Sequence, residues 1–95
     1  GASADIVGGA TLYNATTAIT LTMDTTKLGV GDIATIYAGN GNVTIAQDAT
    51  YPFTTIKIDG NTAASTGNRT IASGSLATIT VVSAGVAVIA GQGVS

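Results

Sequence analysis

The sequence contains no cysteine, histidine or glutamate in its 95 residues. Without cysteine it can form neither a disulfide nor a thiolate metal site. Catalysis near neutral pH usually relies on histidine, glutamate, cysteine or lysine as the proton-transfer group, so most of that set is missing. We therefore predict that the protein is not an enzyme and that it has no catalytic residue, no cofactor and no metal site.

The aspartates offer the only alternative to this prediction. Asp24 and Asp32 bracket a loop at 24–32 and could form an acid–base pair. With Asp59 and Asn61 they could also supply oxygen ligands to calcium. No known calcium-loop spacing is present, and loops favour aspartate for turn formation, so we interpret these residues as structural. Within the same loop, Leu28 and Val30 are expected to point inward.

Charge is scarce as well. Charged residues make up 8% of the sequence, against about 25% in typical soluble proteins. Three basic residues and a net charge of −2 give neither a nucleic-acid-binding footprint nor a polybasic membrane anchor. Neither nucleic acid nor membrane is therefore a predicted partner. Low charge is, however, typical of a surface buried between subunits.

Bulky side chains are also few, since aromatic residues make up 4% and there is no tryptophan. Small apolar side chains bury little area each, and burial contributes roughly 25 cal/mol per Å². A single chain is therefore expected to have a thin core. We predict that identical chains complete the burial by associating.

The strongest local pattern lies at 33–46, IATIYAGNGNVTIA. Residues alternate in character on both sides of Asn40 and Gly41, as in strands with two unlike faces. Asn-Gly favours the positive φ angles of a type I′ turn. The sequence therefore predicts a tight β-hairpin at this position.

The rest of the chain repeats these features, with β-branched runs separated by Gly and Asn turns and no helical period. We predict an all-β fold, a compact antiparallel β-sandwich or barrel of about seven or eight short strands. Residues 10–95 are expected to form the single domain. Residues 1–9 are predicted to be a flexible arm, or an arm that docks on a partner.

A second hairpin is predicted at 76–91, and its valines leave neither face polar. A strand pair with two apolar faces needs a second cover, which a neighbouring subunit would provide. The predicted oligomer interface consists of Val81, Val82, Val86, Val88 and Ile89.

Six other residues are candidates for facing a partner. Tyr13 and Tyr51, like Tyr37, could stack on sugars or simply pack. Arg69 is either a strand-edge charge or half of an ion pair with Asp59 or Asp5. The complete set is Asp5, Ile6, Val7, Tyr13, Tyr51 and Arg69.

Several segments together resemble a known group of modules. They are a polar lead-in strand (AITLTM), a loop ending in VGD, the run ATIYAGNGNVTIAQD, the run GNRTIASGSLATITVV and the ending VAVIAGQGVS. Over roughly residues 17–95 the chain resembles the small β-rich modules of tailed-bacteriophage virion proteins, which are head decoration proteins, head fibres and tail-fibre tips. The closing strand of those modules often carries Trp or Tyr, whereas here it has Val88 and Ile89.

The resemblance implies that the predicted sandwich or barrel forms a homotrimer without enzyme activity, located in the virion on the head surface or at a fibre tip. It also implies that the capsid is what an arm at residues 1–9 would dock on. The first hypothesis is a capsid decoration, or cement, protein that binds the major capsid protein or another virion protein and stabilises the shell. The second is the receptor-binding tip of a tail or head fibre, for which a host-surface glycan is a possible ligand. The third is a subunit of a secreted prokaryotic surface filament in which residues 1–13 donate a strand to a neighbour.

Overall fold

The structure is a computed structural model, and it describes residues 2–6, 10–60 and 68–95. Within these ranges the regular structure is entirely β. In chain order the strands are β1 (Ala2–Asp5), β2 (Ala10–Ala15), β3 (Ile19–Met23), β4 (Ile33–Ala38), β5 (Val43–Gln47), β6 (Thr55–Ile58), β7 (Arg69–Ile71), β8 (Leu76–Ser83) and β9 (Val86–Ala90). The all-β prediction is confirmed.

The strands form two sheets. The first, sheet A, has four strands in the order β1-β3-β5-β7, and the second, sheet B, has five in the order β2-β4-β8-β9-β6. Up to β8, each strand lies in the sheet opposite to that of the strand before it. Two sheets around one core are compatible with the predicted sandwich.

The prediction of an antiparallel arrangement was wrong, because four of the seven strand pairs are parallel. These are β1 with β3, β3 with β5, β2 with β4 and β6 with β9. Parallel neighbours require a crossover connection, usually a helix. In the first three pairs the crossover is a single strand of the other sheet, whereas β7 and β8 both lie between β6 and β9 in the chain.

The hairpin predicted around Asn40-Gly41 was also wrong. β4 pairs with β2 and β8 in sheet B, whereas β5 pairs with β3 and β7 in sheet A. Residues 39–42 therefore form an arch that carries the chain from one sheet to the other. Gly41 has a φ of 120°, but no described residue other than glycine has a positive φ, which excludes a type I′ turn.

The C-terminal hairpin is confirmed, since β8 and β9 pair in antiparallel register around Ala84-Gly85. The register shifts between Val81 and Ser83, so a bulge lies beside the turn. Gly85 has a φ of 71°, the left-handed conformation that glycine adopts without steric cost.

A single core lies between the sheets, and the chain closes it without a partner. Phe53 and isoleucines from both sheets, including Ile36, Ile45 and Ile71, are fully buried. The radius of gyration is 11.7 Å, close to the roughly 12 Å expected for a folded chain of this length. The small side chains therefore do not leave the core of one chain open, and the case for association must come from the surface.

The N-terminal segment differs from the predicted arm. β1 pairs in parallel with β3, and Ile6 is 0% exposed within the common core. The Ile6 amide donates to the Thr22 carbonyl at 2.9 Å, which extends this pairing. Gly1 and residues 7–9 of the predicted arm lie outside the described residues.

Candidate assembly surface

The aspartates of the described loops serve their own turns. The Asp24 carboxylate accepts from the Thr26 amide at 2.7 Å and from the Thr26 hydroxyl at 2.6 Å. The Asp32 carboxylate accepts from the Gly29 amide at 2.8 Å, and Asp48 accepts from two amides of the next loop. These contacts agree with the structural interpretation of Asp24 and Asp32.

The hydrogen bonds of Asp24 also affect its acidity. The Thr26 hydroxyl and then the Thr26 amide lower the pKa of Asp24, and nearby Lys27 adds a smaller effect in the same direction. A carboxylate with these donors is held in its charged form, whereas a general acid needs the opposite shift. Elsewhere in the described ranges, no three residues of the types His, Cys, Asp and Glu come together as a metal-binding group.

The most distinctive feature of the surface is the solvent-facing side of sheet B, which we call the outer face. Side chains alternate along each strand, so that Ala34, Ile36 and Ala38 of β4 are buried while Ile33 and Tyr37 face outward. Five large apolar side chains are exposed on this face, with exposed fractions of 41% to 66%. They are Leu12, Ile33, Tyr37, Leu76 and Val82.

Strand register makes these residues neighbours. Tyr37 of β4 lies opposite Leu76 of β8, and Thr35 lies between Leu12 of β2 and Thr78 of β8. Directly opposed residues on one face of a sheet have Cβ atoms about 5 Å apart, which is close enough for side-chain contact. The outer face is therefore an apolar surface with threonines in its centre.

The outer face carries almost no charge. The outward positions of β2, β4, β8 and β9 are uncharged in the described residues, and Lys57 of β6 is at the margin. Contiguous exposed apolar surface of this kind marks interaction sites on soluble proteins. Depletion of charge is also the compositional signature of the centre of a protein–protein interface.

The predicted oligomer interface divides between the core and this face. Val81 is 2% exposed and Ile89 is 0% exposed, so both belong to the chain's own core. Val82 is 51% exposed, while Val86 and Val88 are half-buried at outward positions of β9. Alternation explains the division, because β8 and β9 each present one face inward and one outward.

The partner-facing candidates are not brought together. Tyr51 is 50% exposed in the β5–β6 loop, whereas Tyr13 is partly buried against the core. Ile6 is buried and cannot contact a partner. The Asp5 side chain and all of Val7 lie outside what the structure describes. Val30, expected to point inward, is instead 65% exposed.

Arg69 links the two sheets. It begins β7 of sheet A, and its Nε donates to the Ile56 carbonyl of β6 in sheet B at 2.9 Å. Its Nη1 donates to the Asn68 carbonyl at 3.0 Å. Of the two predicted roles, these contacts fit the strand-edge charge, because the guanidinium satisfies a carbonyl at the outer edge of β6.

Leu12, Ile33 and Leu76 were missed as candidate site residues, and Tyr37 was considered only for stacking on sugars. The alternation around β4 had already separated Ile33 and Tyr37 from Ala34, Ile36 and Ala38. Both rows are apolar enough to be a core, so the sequence does not show which row is inside. Ala34 and Ala38 are smaller than Ile33 and Tyr37 of the other row. This difference could have identified the inward row, because small side chains fit where two sheets pack closely.

The opposite surface of the molecule differs from the outer face. The outward residues of β3, β5 and β7 include Thr20, Thr22, Thr44 and Thr70, all half-buried. Register places Thr44 between Thr20 and Thr70, so hydroxyl-bearing side chains form a row across sheet A. Among the strand residues whose side chains the structure describes, the exposed large apolar ones all belong to sheet B.

No helix capable of spanning a membrane occurs in the described part of the chain. Comparison with protein-family models, with curated proteins and with solved structures gives no match.

Proposed function

We propose that this chain is a non-enzymatic structural module of a tailed-bacteriophage virion, a homotrimeric decoration protein that binds the head shell and stabilises it. The observation that carries the proposal is the uncharged apolar outer face of sheet B. The motifs that resemble virion modules give the biological setting. The aspartate contacts agree with a structural role, because the described carboxylates hold turns.

Self-association through the outer face follows from its composition. Leu12, Tyr37 and Leu76 would leave water on association, and burial of apolar area is the main favourable term in assembly. A face without charge can pack against identical copies without like-charge repulsion. Three copies around a threefold axis would place these faces together, each sandwich presenting the same sheet to the axis.

The threonine row of sheet A suits the other half of the function. With the outer face covered in the trimer, the side chains of Thr20, Thr44 and Thr70 remain toward the surroundings. Hydroxyl groups can donate and accept hydrogen bonds, so they match polar groups of a shell without requiring charge complementarity. The major capsid protein is the proposed partner of this side.

The trimer is tested with a charge placed on each sheet in turn. Leu76→Asp puts a carboxylate in the outer face, and Thr44→Asp puts the same carboxylate on sheet A as the matched control. We expect Leu76→Asp to remove the threefold association in sedimentation velocity and Thr44→Asp to retain it. Equal behaviour of the two variants, or a wild type without threefold association, would contradict the proposed trimer.

The decoration role needs its own test. Purified head shells lacking the protein are heated with wild type, with Thr44→Asp or alone, and shell rupture is followed by light scattering. Wild type is expected to raise the rupture temperature, and Thr44→Asp to bind less because its change lies on the shell-facing side. An unchanged rupture temperature with bound wild type would reject the cement function.

The fibre-tip alternative is favoured by one observation, the half-exposed Tyr51 in the β5–β6 loop, where an aromatic ring could stack on a sugar. It predicts that purified protein blocks phage adsorption and that Tyr51→Ser does not. The filament alternative gains nothing from the structure, because β1 and β2 pair with strands of their own chain instead of being free for donation.

A further inference from the structure

The edge strands on the two sides of the molecule differ in how their outward backbone groups are hydrogen-bonded. On the β7 side of sheet A, the C-terminal residues cover the edge: Thr70 and Ser95 exchange amide–carbonyl hydrogen bonds of 2.9 Å, and the Ala72 amide donates to the Gly93 carbonyl. On the β6 side of sheet B, the Arg69 side chain caps the Ile56 carbonyl. The β7 edge is therefore occupied by the C-terminal residues of the same chain, and at the β6 edge the Ile56 carbonyl is occupied by an arginine side chain.

The opposite side of the molecule is formed by β1 and β2. The Ile6 amide donates to Thr22 of β3, so by two-residue alternation the backbone groups of Ser3 and Asp5 point away from β3. No strand among the described residues pairs with β1 on that side. Sheet A therefore has one covered edge and one open edge.

The same reasoning applies to β2. The Ala15 carbonyl accepts from the Gly39 amide beyond β4, so the backbone groups of Leu12 and Asn14 point to the side away from β4. Within the described ranges no strand pairs with β2 there. The strand has six residues, ATLYNA, without the proline, lysine or bulge by which proteins usually protect an edge.

We propose that the open β1 and β2 edges bind the same edges of a second copy, head to head about a twofold axis. Each sheet would then continue across the interface through antiparallel pairing of β1 with β1 and of β2 with β2. The four- and five-stranded sheets would become sheets of eight and ten strands, twice the numbers in one chain. The bonds would be those of the backbone at Ser3, Asp5, Leu12 and Asn14.

The closed side of the molecule identifies the occupant as a second copy in this orientation. Head-to-tail stacking would need an open edge on β6 or β7, and both are covered. The unpaired β1 and β2 edges of one copy can therefore pair only with the same edges of another copy. Antiparallel pairing of identical strands is self-complementary under twofold symmetry. The result is a closed dimer instead of a growing fibre.

This inference uses backbone edges and is separate from the outer face. Asn14→Pro removes the outward-pointing amide of residue 14 but none of the hydrogen bonds to β4, and proline is tolerated at such edge positions. Asn14→Ala removes the same side chain and keeps the amide, so it is the matched control. Leu76→Asp reports independently on the threefold assembly.

Sedimentation velocity over a range of concentrations distinguishes the contacts. If both are present, wild type and Asn14→Ala form six-chain particles, Asn14→Pro forms trimers and Leu76→Asp forms dimers of the 9.2 kDa chain. Asn14→Pro is expected to weaken the twofold contact by about tenfold or more, because one backbone hydrogen bond is lost from each copy. A twofold contact of equal strength in Asn14→Pro and Asn14→Ala would overturn the inference.

Hydrogen exchange in the wild type supplies a second measurement that does not depend on a variant folding. The Leu12 amide is expected to exchange about tenfold more slowly, or slower still, at concentrations where the twofold contact is populated, because it then donates to the second copy. Exchange that is independent of concentration overturns the inference. So does a wild type in which no twofold contact forms, including the case in which a different polypeptide occupies these edges.

Discussion

Gly41 in the β4–β5 arch should be among the most sensitive positions of the chain. Its φ is 120°, and a Cβ at this position would lie 2.5 Å from the Ala18 nitrogen and 3.1 Å from the Thr17 carbonyl carbon. Alanine would carry a conformational strain of about 1–3 kcal/mol. Displacing the packed backbone of Thr17 and Ala18, which lie in the connection between β2 and β3, would cost roughly 1–3 kcal/mol more. We expect Gly41→Ala to lose about 2–6 kcal/mol of unfolding free energy.

Gly31→Ala separates the two contributions. Gly31 has a φ of 93°, but a Cβ added there would have no atom within 4 Å, so only the conformational strain applies. Urea denaturation followed by circular dichroism should show Gly41→Ala to be less stable than Gly31→Ala by about 1–3 kcal/mol. In thermal unfolding each kcal/mol corresponds to a shift of about 4–8 °C for a domain of this size.

Equal losses of unfolding free energy in Gly41→Ala and Gly31→Ala would refute the reasoning, because the close approach of residue 41 to the β2–β3 connection would then contribute nothing. Asn40→Ala provides a further check. In a type I′ hairpin Asn40 would need a positive φ, and alanine would be strained there. In the arch Asn40 has an ordinary φ and is exposed, so the change should alter stability by no more than about 0.5 kcal/mol.

Three other predictions concern the ends of the chain and its charges. Arg69→Met should lose about 1–3 kcal/mol in urea denaturation, because the Ile56 carbonyl loses a charged donor, while Lys57→Met serves as the control. Ile6→Ala should lose about 2–5 kcal/mol, and a loss near zero would mean that the N-terminal segment is an arm after all. The lowered pKa of Asp24 stabilises the fold above the unfolded value of about 3.9, and this contribution is lost as pH falls through the folded pKa. As the pH falls, the unfolding free energy of Asp24→Asn should therefore decrease less steeply than that of the wild type. The same pH dependence in both proteins would contradict this.

Alternation predicted where the strands lie but not how they are connected. In β4 the inward row contains Ile36, and in β5 it contains Val43 and Ile45. A hairpin would put the two rows side by side on one sheet, and an arch puts them opposite each other across the core. The residue pattern is the same in both cases, so the sequence could not distinguish them.

The turn residues carried only part of the missing information. Asn-Gly correctly indicated a positive φ, which Gly41 adopts, but Asn40 does not share it. What decides the arch is contact with residues far away in sequence: the Gly41 amide donates to the Ser73 hydroxyl at 2.9 Å, and the Asn42 side chain accepts from the Ser73 amide at 3.0 Å. In the C-terminal hairpin the Gly85 carbonyl also accepts from distant residues, the Thr54 hydroxyl at 3.2 Å and the Thr55 amide at 3.3 Å. These contacts leave β8 and β9 paired with each other, and the hairpin was predicted correctly.

For the candidate surface, the sequence predicted the hairpin that contributes to it but not which residues of the hairpin face outward. Valines at 81, 82, 86 and 88 identified the correct hairpin, yet the sequence could not separate the inward row from the outward row. The scarcity of bulky side chains predicted a thin core that association would complete, whereas the structure closes the core within one chain. The scarcity of charge has its effect on the outer face instead, where it leaves a surface that identical copies can share.

The outer face and the β1 and β2 edges would act differently in assembly. The outer face of sheet B holds by hydrophobic burial, which has little directional preference, so packing shape alone sets the number of copies. The β1 and β2 edges bind through backbone hydrogen bonds, whose direction is fixed. Because the β6 and β7 edges are covered, edge pairing stops at two copies and cannot propagate. If the twofold axis crosses the threefold axis at a right angle, the two contacts combine into a closed particle of six chains, which suits a protein placed at discrete sites on a shell better than the subunit of a continuous filament.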